Sequence, residues 1–442
     1  MTDPSRGRVV VIGAGPAGLA AAVAAADAGA SVVMINEAAQ SGGQIWRRDV
    51  NGAMPDRARD LFVRAEAASI MHRTCSTVID ARSVDGGHLL TIERGGSDPM
   101  DSPTETVGST GELFASRVIL ATGARELFLP FPGWTLPGVV GVGAIQAMVK
   151  GGLDVRGKRI IIAGSGPLLV AVAASIAARG ANILMIAEQA PALRMMAFSA
   201  GLLRAPRIAR DALGYAAAIS PKAFHFGSWV VAAHGESGVR QATITDGRRE
   251  RTIDCDYLCI GYGLVPNTEL AQLIGCGLST RGVDADENQE TTVPGVYAAG
   301  ECVGVAGVDA AIAEGTIAGF AAGGARERAA SHHRDREGAR AWGRRLESTF
   351  ALRPELRKLA TAETIVCRCE DVRLGSIDPA WTPRQAKLYA RVGMGPCQGR
   401  VCRPSLEHLY GWGQDRVRAP IYPSLLSTLA AHGADHDTRG AK

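Results

Sequence analysis

Four cysteines toward the end of this 442-residue chain form two close pairs, Cys367-x-Cys369 and Cys397-x-x-x-x-Cys402, with 27 residues between the pairs. Four thiolates brought together make a soft, negatively charged ligand set, suited to zinc or to an iron–sulfur centre. Zinc commonly takes pairs spaced by about two to four residues, and the single residue between Cys367 and Cys369 is short for that. The pattern favours a [2Fe–2S] cluster, with zinc and uncoordinated thiols as the alternatives. Gly393, Gly395 and Gly399 lie around the second pair. Glycine lets backbone N–H groups approach cluster sulfurs, which offsets their negative charge and raises the reduction potential.

A second chemical signature opens the chain. Gly13-x-Gly15-x-x-Gly18, with Pro16 and Ala17 between the last two glycines, follows an unbroken β-branched run and precedes an alanine-rich helical stretch. That spacing seats a dinucleotide pyrophosphate: Gly13 permits the tight turn and Gly15 lets the backbone approach the phosphates. Gly18 lets helix pack on strand, and the helix N-terminus supplies partial positive charge. At the end of the next strand, where an acid normally takes the ribose hydroxyls, stand Asn36 and then Glu37.

Elements must position both signatures, and the chain builds one of them twice. At a shift of 151, Arg8–Gln40 aligns with Arg159–Pro191, each reading strand, glycine turn, alanine-rich helix and strand, with Gly29 and Gly180 as helix stops. Uninterrupted apolar first strands predict central parallel strands covered on both faces. The second copy is degenerate: Gly164-x-Gly166-x-x-Leu169 places a branched side chain where close packing wants none, and Ala187 precedes Glu188 at the ribose position. Gly164 and Gly166 are its candidate contacts. An NAD(P) site, a relic of duplication and a site for another nucleotide such as ATP remain open.

Composition narrows the class. The chain is 46% hydrophobic and 21% charged, which excludes wholesale disorder. Lys+Arg 48 against Asp+Glu 44 gives +4, yet residues 326–358 alone hold ten basic and five acidic side chains, so the remainder sums to −1. One segment carries the excess, and nucleic acid is not an expected partner. Within it Arg340, Arg344 and Arg345 can form a basic face and Trp342, Leu346 and Phe350 an apolar one, read first as packing on the chain itself and second as a partner surface. The adjacent His332 and His333 have no nearby acid or cysteine to complete a metal set. Val9–Ala26 and Ile160–Ala178 are uncharged, but a Gly-x-Gly-Pro turn breaks each, so no integral membrane segment is expected. Nine cysteines, five of them scattered in apolar or Gly-rich surroundings, point to a reducing, cytoplasmic setting. Cys255 and Cys259, in the strand-like run IDCDYLCIGYG, are expected to share one strand face as core residues.

Gly42-Gly43-Gln44, the segment Val118–Ala124 with Ala121-Thr122-Gly123, and the segment Thr292–Glu301 ending in Gly300-Glu301 resemble the further FAD-contact segments of the flavoprotein disulfide reductase-like superfamily. The resemblance implies FAD held by Gly13, Gly15, Pro16, Ala17, Gly18, Asn36 or Glu37, Gly43, Gln44, Ala121, Thr122, Gly123, Gly300 and Glu301. Glu301 is one methylene longer than the family's usual Asp. Asp309–Ala318 reads as a helix whose N-terminus can face the flavin ring. Trp46, Arg47 and Arg48 are candidates for cofactor or interface contacts. Thioredoxin reductase-like members need a CxxC near the flavin, and residues 1–350 contain none.

The C-terminal segment resembles the bacterioferritin-associated-ferredoxin-like [2Fe–2S] domain. Together with EAAQSGGQIWRR, GYGLVPNTEL, CRCEDV and GMGPCQGRVC, it makes most of the chain similar to the FAD-binding α subunits of heteromeric amino-acid, opine and (hydroxy)proline dehydrogenases and of hydrogen cyanide synthase, related also to part of the α chain of sarcosine oxidase. The fold class expected is α/β, two Rossmann-like dinucleotide-binding domains plus a small [2Fe–2S] domain. The expected division is 1–132 with 261–325 for FAD, 133–260 for the degenerate nucleotide domain, 326–362 as a basic linker helix and 363–442 for the cluster domain and tail. The resemblance implies ligation by Cys367, Cys369, Cys397 and Cys402. It implies an electron-transfer role beside an FAD-dependent β subunit that oxidises the amine. Further candidates are FMN at an interface between the polypeptides and a small ferredoxin-like γ subunit. The alternative is a self-sufficient NAD(P)H-dependent FAD reductase. No acid/base pair for substrate chemistry stands out, so no catalytic residue is assigned.

Overall fold

The structure is a computed structural model, and it describes residues 7–47, 56–95, 110–202, 206–413 and 417–430. Two compact units divide the chain: residues 7–125, 266–344 and 417–430 form the first, residues 126–265 and 345–413 the second.

The first unit is built on a five-stranded parallel sheet ordered Val296–Ala298, Arg117–Leu120, Arg8–Ile12, Ser31–Ile35, Ile70–Arg73. Its central strand is apolar on both faces because both are covered. Val9 and Val11 enter a core with the helix Pro16–Asp27, while Val10 and Ile12 enter another with the antiparallel strands Ser76–Val84, Gly87–Arg94 and Thr110–Ala115. The helix Val308–Ala322 lies against Pro16–Asp27 almost without side chains at the seam. A Cβ on Gly315 would stand 2.1 Å from the Ala17 carbonyl oxygen, one on Gly319 2.2 Å from that of Ala21, and one on Gly323 2.5 Å from Ala28 Cβ.

The second unit repeats the plan: Phe224–Phe226, Asn182–Glu188, Arg159–Gly164, Tyr257–Gly261 and Val139–Gly141 make a parallel sheet in that order. Ile161 and Ala163 face one core, Ile160 and Ile162 the other. Duplication extends to the helix ends. Gly29 (φ +88°) and Gly180 (φ +87°) both take the left-handed conformation that suits glycine. Ala30 N–H donates to Ala25 and Gly29 N–H to Ala26, and 151 residues on Ala181 donates to Ile176 and Gly180 to Ala177, the same Schellman pattern. Each unit also carries a three-stranded antiparallel sheet, in the second Trp229–His234, Gln241–Thr245 and Glu250–Asp254.

That sheet corrects one expectation. The run IDCDYLCIGYG is two strands: Glu250–Asp254 ends the antiparallel sheet and Tyr257–Gly261 joins the parallel one. Cys255 and Cys259 are core residues, 1% and 0% exposed, but in two different cores rather than on one strand face. Burial pushes the Cys255 thiol up to about 11 and Cys259 higher still.

Residues 363–413 form a small module inside the second unit. The strands Ile365–Cys367 and Val372–Arg373, the helix Pro383–Ala390 and the helix Cys402–Tyr410 enclose Val366, Cys367, Val372, Ile377, Ala386, Val392, Cys402 and Leu406. Thr382 begins Pro383–Ala390 with a full capping box, its hydroxyl accepting from Gln385 N–H while Gln385 Oε1 accepts from Thr382 N–H. Residues 326–362, expected as one basic linker helix, instead hold Arg326–Ala330, His333–Thr349 and the 3-10 segment Pro354–Lys358. Among the described residues no helix is long and apolar enough to cross a membrane.

Candidate functional site

Four segments singled out in the sequence meet at the first glycine turn. Gly13 (φ +107°) leaves the strand so close to the third segment that a Cβ there would stand 2.2 Å from Ala121 O, and one on Gly18 would stand 1.8 Å from Gly13 O. Gly42 N–H donates to Ala14 O at 2.7 Å, and a Cβ on Gly43 would come within 2.9 Å of Gly15 Cα. Gly300 brings in the fourth segment, with 2.7 Å from its would-be Cβ to that of Ala17. Gly15 itself is extended (φ −76°, ψ −173°), a Cβ on it meets nothing nearer than Gly43 Cα at 3.8 Å, and no described residue accepts its N–H. The chain thus keeps an uncommitted donor, a free face and the N-terminus of Pro16–Asp27 together, which is the equipment for a pyrophosphate.

The flanking side chains differ in what they leave open. Asn36 is buried and donates both amide hydrogens to its own loop, to Ala38 O at 2.7 Å and Gln40 O at 3.0 Å, so only its oxygen stays uncommitted; Glu37 is exposed. Gln44 is exposed and accepts from Arg47, Trp46 is core, and Arg48 lies outside the described residues. Glu301 is half-buried with no partner among the described residues, and burial raises its pKa. A desolvated acceptor beside Gly300 suits a ligand hydroxyl. The helix Val308–Ala322 starts at Gly307 (φ +88°), and Asp309 in its first turn pairs with Arg57.

Two positioning residues were not found from sequence. Glu314, 2% exposed, accepts from Gly300 N–H at 2.9 Å and from Arg340 Nε at 2.7 Å, fixing the fourth segment to its helix. Asn267, inside GYGLVPNTEL, clamps the third: its Nδ2 donates to Thr122 O, its N–H to Gly123 O, and its carbonyl accepts from Thr122 Oγ1 at 2.7 Å. Both are polar residues in apolar surroundings, the one signal available in the sequence. Arg340 is thereby tied to Glu314, while Arg345 donates to Ala197 O and Phe198 O and Phe350 packs edge-on to Phe198. The segment packs on its own chain, in keeping with the first of its two sequence readings, but its arginines serve different neighbours rather than one face.

The second turn is built differently. Its strand runs on to Gly164, Gly166 is left-handed (φ +106°) where Gly15 is extended, and Leu169 is buried against Gly261 and Val142. Gly166 N–H donates to Glu188 Oε2 at 2.7 Å, and Glu188 Oε1 accepts from Ala190 N–H at 2.8 Å. Glu188 is 4% exposed, and burial raises its pKa to about 7. The folded chain therefore holds a proton between the ordinary 4.5 and about 7 that the unfolded chain has released. Stability from this source is complete below the lower value and is lost as pH rises through the upper one, by about 3 kcal/mol. Glu188→Gln cannot titrate, so its stability relative to wild type, read by urea denaturation, should improve from pH 5 to pH 8; a pH-independent difference would contradict the shift.

All four paired cysteines line one cavity of about 110 Å³, together with Phe128, Trp134, Arg368 and Val401. The thiols meet in crossed pairs, Cys367 with Cys402 and Cys369 with Cys397. Hydrogen bonding from Cys402 pulls the Cys367 thiol down to about 6 and pushes Cys402 far up, so this pair shares one proton. Gly393 (φ +77°) donates its N–H to Cys367 Sγ at 3.4 Å, and Gly395 passes so close to Cys369 that a Cβ would stand 2.2 Å from the cysteine's own. Cys402 begins the helix Cys402–Tyr410, so a helix N-terminus lies beside the pair in which Cys367 is the thiolate. Trp134 Nε1 donates to Ile365 O and Ser405 Oγ to Phe128 O, tying the module to the cavity wall. Cys367 and Cys402 are buried, Cys369 is exposed and Cys397 lies between. Among the described residues no three His, Cys, Asp or Glu side chains cluster as a single-ion set. Two pairs around a shared space suit a centre with two metals, each taking one pair.

Two Rossmann units with an open glycine turn on the first define a two-dinucleotide-domain flavoprotein, and the chain belongs to the pyridine nucleotide-disulphide oxidoreductase family, an FAD-dependent oxidoreductase family whose model matches residues 7–315. Over nearly its whole length it is similar to components of larger enzymes. It is 31% identical to hydrogen cyanide synthase subunit HcnB of Pseudomonas aeruginosa, covering 97% of this chain and 99% of that one. It is 29% identical to an opine oxidase subunit of Agrobacterium tumefaciens, covering 96% and 91%. Among solved structures, L-proline dehydrogenase from P. horikoshii shares the fold at a TM-score of 0.64 and 19% identity, over 96% of this chain and 80% of that one. Thioredoxin reductase of T. acidophilum shares it over 72% and 97%, at a TM-score of 0.54 and 22% identity.

Proposed function

We propose that the chain is the FAD and [2Fe–2S] electron-transfer subunit of a heteromeric dehydrogenase or oxidase acting on the CH–NH bond of an amino acid, opine or sarcosine-like secondary amine. The observation that carries this reading is the convergence of Cys367, Cys369, Cys397 and Cys402 on one cavity, in a chain whose other unit keeps an open flavin-type turn. Full-length similarity to subunits of hydrogen cyanide synthase and opine oxidase supports the heteromeric setting. On this reading the turn segments and Glu301 hold FAD, and the four cysteines hold the cluster. A flavin supplies two-electron chemistry and a [2Fe–2S] centre one-electron chemistry, the combination a relay needs. The chain's own part is to hold each group: free N–H and helix N-terminus for the phosphates, Gly393 N–H and the Cys402 helix for the sulfurs. Substrate oxidation belongs to an FAD-dependent β subunit. FMN at the interface and a small ferredoxin-like γ subunit complete the assembly, which works in the cytoplasm.

Purified alone, the chain should carry about one FAD and two iron with two acid-labile sulfide, and should not oxidise proline, hydroxyproline, opines, glycine or sarcosine. Turnover should appear only when the co-purifying partner is present. Robust oxidation by the isolated chain, or zinc in place of iron, would overturn the reading.

A further inference from the structure

The second Rossmann unit has the sheet and helix of a nucleotide domain, and its turn decides whether a nucleotide can use them. A pyrophosphate needs free N–H donors, a helix N-terminus and room beside them. The first turn offers these at Gly15. At the matching place in the second, Gly166 N–H is already donated to Glu188, whose other oxygen takes Ala190 N–H and lies 3.2 Å from Ser165 Oγ. The carboxyl oxygens are acceptors supplied by the chain itself, seated where those of a phosphate would go.

The seat is also roofed. Gln189, 1% exposed, reaches with Nε2 to Ser165 Oγ at 2.8 Å and to Phe350 O and Ala351 O, while its Oε1 accepts Arg353 N–H at 3.1 Å. Ser165 Oγ also lies 3.0 Å from Phe350 O, and the Arg353 guanidinium stacks 4.0 Å over the Trp229 ring. A neighbouring helix N-terminus is filled in the same way: Glu126 accepts from Gly143 N–H at 2.8 Å and Ala144 N–H at 3.2 Å on Val142–Lys150.

We infer that the second unit takes no nucleotide, because Glu188 occupies its phosphate seat and the segment 350–353, latched by Gln189 and Ser165, closes the approach. An entering NAD(P), ADP or ATP would have to expel a buried carboxylate, unlatch four hydrogen bonds and set its own negative charge beside Glu188. The excluded class is every ligand that docks through a phosphate. It follows that the second unit offers no seat from which a nicotinamide could pass electrons to the flavin, which counts against the self-sufficient NAD(P)H reductase. The inference stands on the second unit's geometry alone and survives or fails independently of the relay reading.

The test titrates the full-length, FAD-loaded chain with ADP, ATP, NADH and NADPH by calorimetry, and follows hydrogen exchange at 164–169 and 350–353. Expected are no saturable heat up to millimolar nucleotide and unchanged exchange, with the Gly166 amide already slow. Saturable binding of any of the four with Kd below 1 mM, or new protection at the turn, overturns the inference. A second arm uses Glu188→Ala, which leaves Gly166 and Ala190 N–H unpaired: its Tm should fall, and inorganic pyrophosphate should recover part of that loss in the variant and none in wild type. A variant indifferent to pyrophosphate would show that the seat is not an anion seat. If it does not fold, the wild-type titration and exchange decide alone.

Discussion

Cys397→Ser protein is expected to keep about one FAD per chain while its iron and acid-labile sulfide fall below about a tenth of the wild-type content. Cys397 is less buried than Cys402 and lies outside the apolar core that holds Cys367 and Cys402, so serine removes a ligand without opening a cavity in the module. The flavin turn draws on Gly13–Gly18, Gly42–Gly43, Ala121–Gly123 and Gly300–Glu301, all in the other unit. Visible absorbance should therefore lose its broad brown component and retain the yellow one. Simultaneous loss of both chromophores would mean that the two sites are not held by separate units. Cys402→Ser, at a 2% exposed position, should lower Tm as well, by leaving a poorly partnered hydroxyl in the core.

Gly15→Ala is expected to give the mirror result: normal folding, intact cluster, and FAD affinity reduced at least about 100-fold, close to 3 kcal/mol. At φ −76° alanine is unstrained, and its Cβ would make only an ordinary 3.8 Å contact with Gly43 Cα. What the methyl occupies is the face a pyrophosphate must approach. Gly18→Ala supplies the contrast, because its Cβ would stand 1.8 Å from Gly13 O and the helix could not seat on its strand. That variant should fail in folding and not in binding alone. Fluorescence titration of stripped protein with FAD, beside circular dichroism, separates the two; a Gly15→Ala protein with wild-type FAD affinity would remove the turn from the site.

The duplication was legible because its signals are local: an apolar strand, glycines at fixed spacing and a left-handed stop at Gly29 and Gly180 are dictated within a few residues. The cysteine pairs were legible for the same reason, since CxC and CxxxxC are chemical before they are structural. Glu188 marks where this reasoning ran out. Its position beside the ribose site was evident, but its side chain turns inward to Gly166, a choice made by burial and by residues 350–353, distant in sequence. Leu169 hinted at a remodelled turn without saying what fills it. IDCDYLCIGYG failed through a competing pattern: the end of an antiparallel strand and the start of a buried parallel one read as a single apolar run. Asn36 looked like a ligand, and its amide hydrogens are spent on Ala38 and Gln40, which type and spacing do not reveal.

The chain crosses between its units four times, and its last described stretch, 417–430, returns to the first, where Ile421 N–H donates to Ile79 O and the side chain joins the core. Neither unit is a contiguous length of polypeptide. The order along the chain therefore cannot be the order of completion: the flavin-type unit starts at the strand Arg8–Ile12 yet lacks part of its core until 417–430 has followed, after the whole of the second unit. No single cut in the gene yields either unit whole, so the two cannot be traded as cassettes.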